Sequence, residues 1–331
     1  MHRIPLNEIH ETLARILVGH GFTASRADLC ARLFAETSRD GVYSHGLQRF
    51  PRFVRTIRNG SVDPAAEPVL QAGMGALERW DGRRGAGNLN AWAAMERAMG
   101  LARANGIGCV ALANTNHWMR GGTYGWQAAE AGFAAICWTN TMPNLPPWGG
   151  AAPVIGNNPL ILAAPRAEGP VVLDMAMSQF SYGAMESYRR RGEMLPVEGG
   201  FDRDGNLTRD PAAIVNSQRA LPIGYWKGSG LSVLLDTLAA MLTLGRATHD
   251  IPAEAEHETA ISQVFLAFNS GSSAQTERIA NEIVASLHAC PPAQEGNCVR
   301  YPGEQTLRIR RENMQLGIPV DPEMWEQIRA L

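Results

Sequence analysis

The chain has 331 residues, of which 45% are hydrophobic and 19% are charged, and its formal net charge at pH 7 is −2. This length predicts a large core in two lobes or more, and the composition is typical of a soluble globular protein. Because basic residues are scattered among nearly as many acidic ones, we expect no nucleic-acid or polyanion partner.

The beginning of the chain predicts a series of helices. Apolar residues recur at helical spacing over residues 6–17, and acidic residues interrupt this stretch, which therefore predicts neither a signal peptide nor a membrane span. Residues 23–41 predict a second helix with Ser25 as its cap. A third apolar series, over residues 50–57, places Pro51 in the first turn of a helix.

The pattern changes at about residue 65 to short apolar runs of strand length that alternate with helical stretches. The predicted strands cover residues 107–114, 134–140, 158–165, 170–177 and 261–269, and the predicted helices cover 89–105 and 230–244. This alternation indicates an α/β core over residues 65–300. The tail, residues 301–331, returns to helix with Asp321 as a cap, and we expect it to pack with an N-terminal helical segment, residues 1–64.

The five cysteines indicate the redox environment of the protein. They are Cys30, Cys109, Cys137, Cys290 and Cys298. Their number is odd and no CxxC occurs, so we interpret them as reduced thiols of a cytoplasmic protein. Cys290 and Cys298 flank a proline-containing loop, and we expect no structural disulfide between them.

A serine, a histidine and an arginine lie close together in the turn that leads into the third predicted helix: Ser44, His45 and Arg49. One interpretation is a polar helix end. The other is a chemical unit, in which an imidazole donates a proton and a guanidinium binds a carboxylate through two parallel hydrogen bonds. A third possibility for the arginine is an ion pair with Asp40.

A second polar cluster follows the predicted strand 107–114, where the loops of α/β sheets often bind ligands. It contains Asn114, Asn116, His117 and Arg120. A lone histidine is more often structural, but one grouped with asparagines, an arginine and two glycines favours a site. Trp118 remains open between a core or interface aromatic and a pocket wall. Asp174, near the end of another strand, could hold a ribose hydroxyl or orient a histidine.

The chain has a single lysine, Lys227, among 30 basic residues. Gly228 and Gly230 follow it and precede a strong helical pattern. Exposed backbone N–H groups at a helix start, beside a compact ammonium, predict a phosphate site. The alternative is a glycine-rich loop that enters a core helix. The fingerprint GxGxxG is absent, so a standard Rossmann domain is not expected.

Other chemistries receive less support from the sequence. No HxxxH, HxH or HExxH spacing occurs among the histidines, so a metal-dependent hydrolase or lyase would need distant ligands, and we expect no metal. No GxSxG elbow is present, and adjacency to His45 does not make Ser44 a nucleophile. A non-enzymatic binding protein remains the third class, although several separate polar clusters argue against it.

Several strings together resemble the type 2 malate/L-lactate dehydrogenase family nearly end to end. They include "YSHGLQRFPRF", "NTNHWMRGGTYGWQAAE", "DMAMSQFSYG", "GYWKGSG" and "YPGE". The resemblance implies an NAD(P)-dependent oxidoreductase with a non-Rossmann fold, in which helices flank a mixed, largely antiparallel sheet. It also implies a homodimer whose active site lies near the subunit interface.

The resemblance also implies roles for individual residues. His45 matches the family's proton donor to the ketone oxygen. The positions that match its cofactor contacts are Pro170, Val171, Val172, Leu173, Asp174, Met175, Ala176, Trp226, Lys227, Gly303, Glu304 and Gln305. One departure is Asn157, because many members have threonine there, and a hydroxyl contact cannot be carried over. NADH is the expected cofactor and NADPH the alternative.

The expected reaction is the reduction of a keto sugar acid. Hydride delivery to a 2-keto acid leaves negative charge on the carbonyl oxygen, which a protonated His45 neutralises while Arg49 holds the carboxylate. Ser44, His117 and Arg120 complete the expected substrate site, since Arg120 offers five N–H donors to the additional hydroxyls. The alternatives are another small 2-keto acid and a cyclic imine.

Overall fold

A computed structural model of the chain describes residues 2–271, 274–294 and 297–331. Within these ranges the chain forms eleven helices and eleven strands. The helices are α1 (Leu6–Gly19), α2 (Ala24–Arg39), α3 (Phe50–Arg58), α4 (Gly87–Asn105), α5 (Gly122–Glu130), α6 (Tyr182–Arg190), α7 (Pro211–Ser217), α8 (Trp226–Thr243), α9 (Ala274–His288), α10 (Glu304–Leu316) and α11 (Pro322–Arg329). The strands are β1 (His2–Ile4), β2 (Val69–Met74), β3 (Leu77–Asp81), β4 (Ile107–Thr115), β5 (Ala134–Thr139), β6 (Leu160–Ala164), β7 (Val171–Met175), β8 (Gly200–Phe201), β9 (Leu207–Thr208), β10 (Ile261–Phe268) and β11 (Ile318–Val320).

The central sheet has seven strands in the order β2-β3-β4-β10-β5-β6-β7. β3 and β4 run parallel, and the other neighbouring pairs run antiparallel. The three middle strands, β4, β10 and β5, carry nearly continuous apolar runs because helices cover both of their faces. The mixed, largely antiparallel, non-Rossmann sheet expected from the resemblance is therefore confirmed.

The two ends of the chain form one layer beside the sheet. β1 pairs with β11, with Ile4 opposite Ile318, and Trp325 of α11 lies in the same hydrophobic cluster as α1, α2 and α3. Phe34 and Phe50 meet edge to face in this cluster at a centroid distance of 5.2 Å. This packing holds the turn between α2 and α3 against the central sheet.

Most of the predicted elements are present, with two local corrections. Pro51 lies in the first turn of α3, and the Asp321 carboxylate accepts the backbone N–H of Glu323 at the start of α11, as predicted. Ser25 is not the cap of α2, because that helix begins at Ala24 and the residue before it, Thr23, occupies the cap position. The helix predicted over 230–244 begins earlier, at residue 226.

Several termini of these elements converge at one end of the sheet. They are two short 3-10 turns, Tyr43–His45 and Leu47–Arg49, the loop after β4, strand β7 and the turn before α10. Among the described residues no helix is both long enough and apolar enough to cross a membrane. The five cysteines are free thiols.

Candidate active site

A cavity of about 400 Å³ lies where these segments meet. Its wall includes residues of the turn Tyr43–His45, the loop after β4, strand β7 and the turn before α10, and the residues that matter for chemistry are Ser44, His45, His117, Arg120, Asp174 and Gly303. The structure thus brings together residues that are far apart in the sequence and that the sequence analysis had placed in separate clusters. A concave site with several convergent polar groups is the expected form of a small-molecule site.

The two histidines of the cavity stack on each other. The rings of His45 and His117 are 6.0 Å apart between centroids, with an interplanar angle of 20°. The backbone N–H of Met119 donates to His117 Nδ1 over 3.0 Å, so this nitrogen is an acceptor and the neutral ring carries its proton on Nε2. His45 Nδ1 lies 3.0 Å from the Ser44 hydroxyl, which can donate or accept. His45 is therefore the histidine that is free to change its protonation state.

Burial and nearby arginines favour the neutral form of both rings. Burial, followed by the charges of Arg49 and Arg120, lowers the pKa of His45 to about 4 in total. Burial also lowers the pKa of His117 well below its usual range, with Arg49 again contributing. An anion bound beside these cations would offset their charge and raise the pKa of His45.

Arg120 belongs to an ion cluster built around one buried carboxylate. Asp40, which is 3% exposed, accepts hydrogen bonds from Arg39, from Arg120 over 2.6 Å and from two nitrogens of Arg310. We call these four residues the Asp40 cluster. Burial raises the pKa of Asp40, but the hydrogen bond from Arg310 and the charges of Arg120 and Arg39 outweigh it and hold the pKa at about 2. Asp40 forms no ion pair with Arg49, which was one of the possibilities that the sequence left open.

The Asp40 cluster connects three parts of the site. Arg310 lies on α10 and covers the ring of Trp126, a wall residue of the cavity, at 4.5 Å. Arg120 lies in the loop after β4, and its Nε–H is buried without an acceptor among the described residues. The carboxylate that holds both arginines lies at the end of α2, five residues before His45 in the sequence. The Asp40 cluster therefore holds three segments at fixed distances from one another: the turn that carries His45, the loop after β4 and α10.

Arg49 and Arg52 differ from the Asp40 cluster because no acid is bonded to them. Neither donates a hydrogen bond to any acceptor in the described part of the chain, and we call them the Arg49–Arg52 pair. Burial and the charge of Arg52 lower the pKa of Arg49 and the charge of Glu258 opposes this, which leaves the pKa at about 10. Arg49 does not line the cavity itself but lies behind it, close enough for its charge to act on both histidines.

Asp174 places a carboxylate in the cavity on the side of β7. Its Oδ2 accepts the backbone N–H of Gly122 over 2.8 Å, and a Cβ added to Gly122 would lie 2.7 Å from that oxygen, so glycine is required for this approach. Burial raises the pKa of Asp174, while Arg120 and the Gly122 N–H lower it. Its other oxygen accepts no hydrogen bond from the described residues, which leaves it free for a ligand hydroxyl.

The other positions that the resemblance assigned to the cofactor divide into two groups. Those that line the cavity are Val172, Leu173, Asp174, Ala176 and Gly303. Those that do not line it are Pro170, Val171, Met175, Glu304, Gln305, Trp226 and Lys227. Glu304 has structural partners instead, since its carboxylate lies 3.1 Å from His288 Nε2 and accepts the backbone N–H of Tyr301.

The structure corrects one premise of the phosphate site predicted at Lys227, namely that the two glycines precede the helix. Gly228 and Gly230 lie inside α8 and not before it. The backbone N–H groups of Lys227 and Gly228 donate to the carbonyls of Gly224 and Ile223, so they are not free for an anion. Lys227 is exposed, and its ammonium lies 5.9 Å from the centroid of the Trp226 ring.

The polar cluster after β4 is partly structural. Asn114 donates to Asp81, and Asn116 donates to three backbone carbonyls, so neither side chain faces the cavity. Trp118 is buried against Tyr124 and Phe265, and only part of it reaches the cavity wall. It is therefore chiefly a core aromatic.

The sequence analysis missed several wall residues, namely Thr139, Thr141, Ser181 and Thr306. Thr141 donates to the Oδ1 of Asn157, the residue that replaces the family threonine, over 3.1 Å. The sequence contained a signal for Thr139 and Thr141, because both follow the apolar run of β5 at the same end of the sheet as His117. In the described ranges no three His, Cys, Asp or Glu side chains come together to hold a metal ion.

Comparison with known proteins gives concordant results. The family model of malate/L-lactate dehydrogenase matches residues 4–329. The 2,3-diketo-L-gulonate reductase of Citrobacter koseri is 45% identical over 333 residues, which cover 99% of this chain and 100% of that protein. The structure of Δ1-piperideine-2-carboxylate reductase from Pseudomonas syringae superposes with a TM-score of 0.88 at 30% identity, covering 100% of this chain and 99% of that one. Sulfolactate dehydrogenase from Methanocaldococcus jannaschii superposes with a TM-score of 0.90 at 26% identity, covering 99% and 95%.

Proposed function

The chain belongs to the malate/L-lactate dehydrogenase family of oxidoreductases, and from that premise we propose that it reduces 2,3-diketo-L-gulonate to 3-keto-L-gulonate with NADH. One observation carries the proposed chemistry: His45 lines a cleft, and behind it lies Arg49, which donates to no acceptor among the described residues. Such a cleft favours an anionic substrate whose carbonyl gains negative charge during the reaction. The full-length similarity to 2,3-diketo-L-gulonate reductase supports this substrate over others.

His45 is the proton donor in this proposal. The imidazole is neutral in the free enzyme because burial, Arg49 and Arg120 lower its pKa. A substrate carboxylate bound by Arg49 offsets this charge, so the proton donor forms as the anionic substrate binds. Reduction then adds a hydride to C2 and the His45 proton to its oxygen, and the product is the 2-hydroxy acid. Ser44 orients His45, and His117 donates from Nε2 to the substrate.

The cavity residues fit a nicotinamide cofactor. A bound NADH would supply the hydride. Gly303 has a φ of +98°, and a Cβ there would meet Trp126 and the backbone of β7, so the chain approaches closely along this wall. The free oxygen of Asp174 suits a ribose hydroxyl and repels a 2′-phosphate, which supports NADH over NADPH. The contacts of Trp226 and Lys227 with the cofactor remain part of the proposal.

A homodimer is also part of the proposal. α8 exposes an apolar stripe at helical spacing on the surface, formed by Leu234, Leu238 and Met241, with Leu244 following the helix. Such a stripe on an amphipathic surface helix is usually covered by another element. A second copy of this chain is the proposed cover, and the free thiols agree with a cytoplasmic enzyme.

The experiment that tests the function is NADH oxidation against a panel of substrates. The panel holds 2,3-diketo-L-gulonate, pyruvate, oxaloacetate, and piperideine- and pyrroline-2-carboxylate. We expect the highest kcat/KM with 2,3-diketo-L-gulonate, and unchanged activity after exhaustive chelation. A preference for the cyclic imines would replace the proposed function with that of an imine reductase. Inactivity with the whole panel would reject both.

A further inference from the structure

A second recess, of about 370 Å³, opens beside the cavity. Ser44 lines both the cavity and this recess, so the recess begins next to His45. Arg49 lines it from the cap position before α3 and Arg52 lines it from the first turn of α3, and Gln48 and Ser187 add polar groups. A substrate whose carboxylate reaches Arg49 therefore has this recess within its reach.

The four arginines of the recess differ in their partners. Arg55 donates to Glu256, and Arg190 donates to Glu186. Arg49 and Arg52 donate to no acceptor in the ranges that the structure describes. The two acids of the recess are thus already paired with the outer arginines, and the inner pair is left for a ligand.

Holding the Arg49–Arg52 pair together without an acid is unfavourable in the protein alone. The two residues are three positions apart, with Arg49 at the cap position of α3 and Arg52 in its first turn, and their like charges repel. Glu258 is the acid whose charge acts on Arg49, but its Oε1 already accepts the backbone N–H of Met142. Unpaired charge at a partly buried position is a feature of ligand sites, because a bound polar group offsets its cost.

We propose that Arg52 is a specificity-determining residue that binds the hydroxyl-bearing end of the substrate in this recess. The inference rests on the proposed function and on the role of Arg49 with the carboxylate. The Arg52 guanidinium has five N–H donors, and Gln48 and Ser187 supply both donors and acceptors, as a chain of hydroxyls requires. A short 2-keto acid such as pyruvate has no group that reaches Arg52.

The test compares two substrates in the full-length enzyme with NADH. Arg52→Met keeps most of the side-chain length and removes the donors. We expect kcat/KM for 2,3-diketo-L-gulonate to fall about ten- to a hundredfold, the loss typical of hydrogen bonds to a charged group, and kcat/KM for pyruvate to fall much less. Arg58→Met is the matched control, because Arg58 lies on the same helix but donates to the Leu331 carbonyl outside the recess. It should leave the ratio of the two kcat/KM values unchanged.

The outcomes separate this inference from the proposed function. Equal losses on both substrates, or no loss on either, would overturn the role of Arg52 while reduction of 2,3-diketo-L-gulonate by the parent enzyme stands. A parent enzyme that does not reduce 2,3-diketo-L-gulonate overturns the proposed function and the inference with it. Thermal melting checks whether Arg52→Met is folded. If it is not, Arg52→Lys, which keeps the charge, takes its place and should retain part of the preference for 2,3-diketo-L-gulonate over pyruvate.

Discussion

Two groups of arginines contact the segment that carries His45, and they differ in whether an acid neutralises them. In the Asp40 cluster, Asp40 and Arg39 precede His45 in the chain, Arg120 and Arg310 come from distant segments, and the three guanidinium groups share one buried carboxylate. The Arg49–Arg52 pair follows His45 and has no bonded acid within the described residues. Arg39 and Arg49 both lie within a few residues of His45 in the chain, but among the described residues only Arg39 is bonded to an acid, so this contrast arises from pairing and not from position in the sequence.

The contrast separates residues that hold the site from residues that receive a ligand. A charge-assisted hydrogen bond to Asp40 fixes a guanidinium and joins segments from three parts of the chain. An unpaired guanidinium has unused donors and keeps the pKa of His45 low until an anion arrives. In the proposed function, the first group therefore provides preorganisation, and the second provides affinity and couples substrate binding to protonation.

The largest effect is expected at the histidine between the two groups. His45→Asn should lower kcat by about 10²–10⁴-fold, because the variant cannot donate the proton, while the Kd of NADH remains nearly unchanged. Steady-state kinetics and calorimetry with NADH measure the two quantities. If the variant keeps close to normal kcat across neutral pH, His45 is not the proton donor, and neither arginine group acts on a proton donor at this position.

The pH dependence of the parent enzyme tests the charge of the Arg49–Arg52 pair. Reduction needs protonated His45, whose pKa in the free enzyme is about 4. The protonated fraction falls tenfold for each pH unit above that value, so kcat/KM for reduction should decline with rising pH between pH 5 and 8. The kcat value should stay level to a higher pH, since the bound carboxylate raises the pKa of His45. Parallel profiles of kcat and kcat/KM would show that substrate binding does not offset the arginine charge.

Removing the shared acid should break the first group and destabilise the fold. Asp40→Asn leaves three guanidinium groups around a neutral amide, and such uncompensated buried charge costs about 3–5 kcal/mol. The free energy of unfolding from urea titration measures this loss. Glu78→Gln is the matched control, because Glu78 is also buried and pairs with Arg97, but Arg97 is half exposed and water can solvate it. We expect that variant to lose about 1 kcal/mol or less. Equal losses would mean that the Asp40 cluster is no more important than an ordinary ion pair.

Arg120 belongs to the Asp40 cluster and also lines the cavity. It therefore tests whether one arginine can both hold the site and bind a ligand. Its Nε–H has no acceptor among the described residues, whereas its other nitrogen is bonded to Asp40. If this donor serves a substrate hydroxyl, Arg120→Ala should lower kcat/KM for 2,3-diketo-L-gulonate about tenfold more than for pyruvate, since leaving such a polar group unpaired costs about 1–3 kcal/mol. Equal losses on both substrates would place Arg120 with the residues that hold the site.

The sequence predicted the fold better than it predicted this contrast. Hydrophobic period is a local signal, so five of the seven strands of the central sheet and the first three helices could be predicted directly, whereas β2 and β3 were missed. Gly228 misled the prediction of α8, because glycine there serves packing: an added Cβ would lie 2.2 Å from the Ile223 carbonyl oxygen. The resemblance supplied the sheet topology, which no local pattern contains.

The site was predicted in part, for a related reason. His45, His117 and Asp174 were identified from their positions near turns and strand ends, and the structure brings them together. The Asp40 cluster could not be predicted, because its partners are 80 and 270 residues apart in the chain and no spacing rule connects them. Which arginine is paired depends on these long-range contacts. The sequence therefore also could not predict that Arg49 and Arg52 have no bonded acid among the described residues.

The smallest effect is expected at Lys227, a cation that belongs to neither group. It is exposed and carries no ion pair within the described ranges, and its ammonium lies over the Trp226 ring. Water screens an exposed charge, so its contact with a cofactor phosphate or ribose would contribute about 1 kcal/mol or less. Lys227→Ala should therefore weaken NADH binding about two- to fivefold by calorimetry.

Lys227→Arg should not restore it fully, because a guanidinium is larger and planar where an ammonium is compact. An unchanged Kd in both variants would remove Lys227 from the cofactor site. Complete recovery in Lys227→Arg would instead show that any cation suffices there, as expected of an exposed charge that attracts the cofactor without a defined contact.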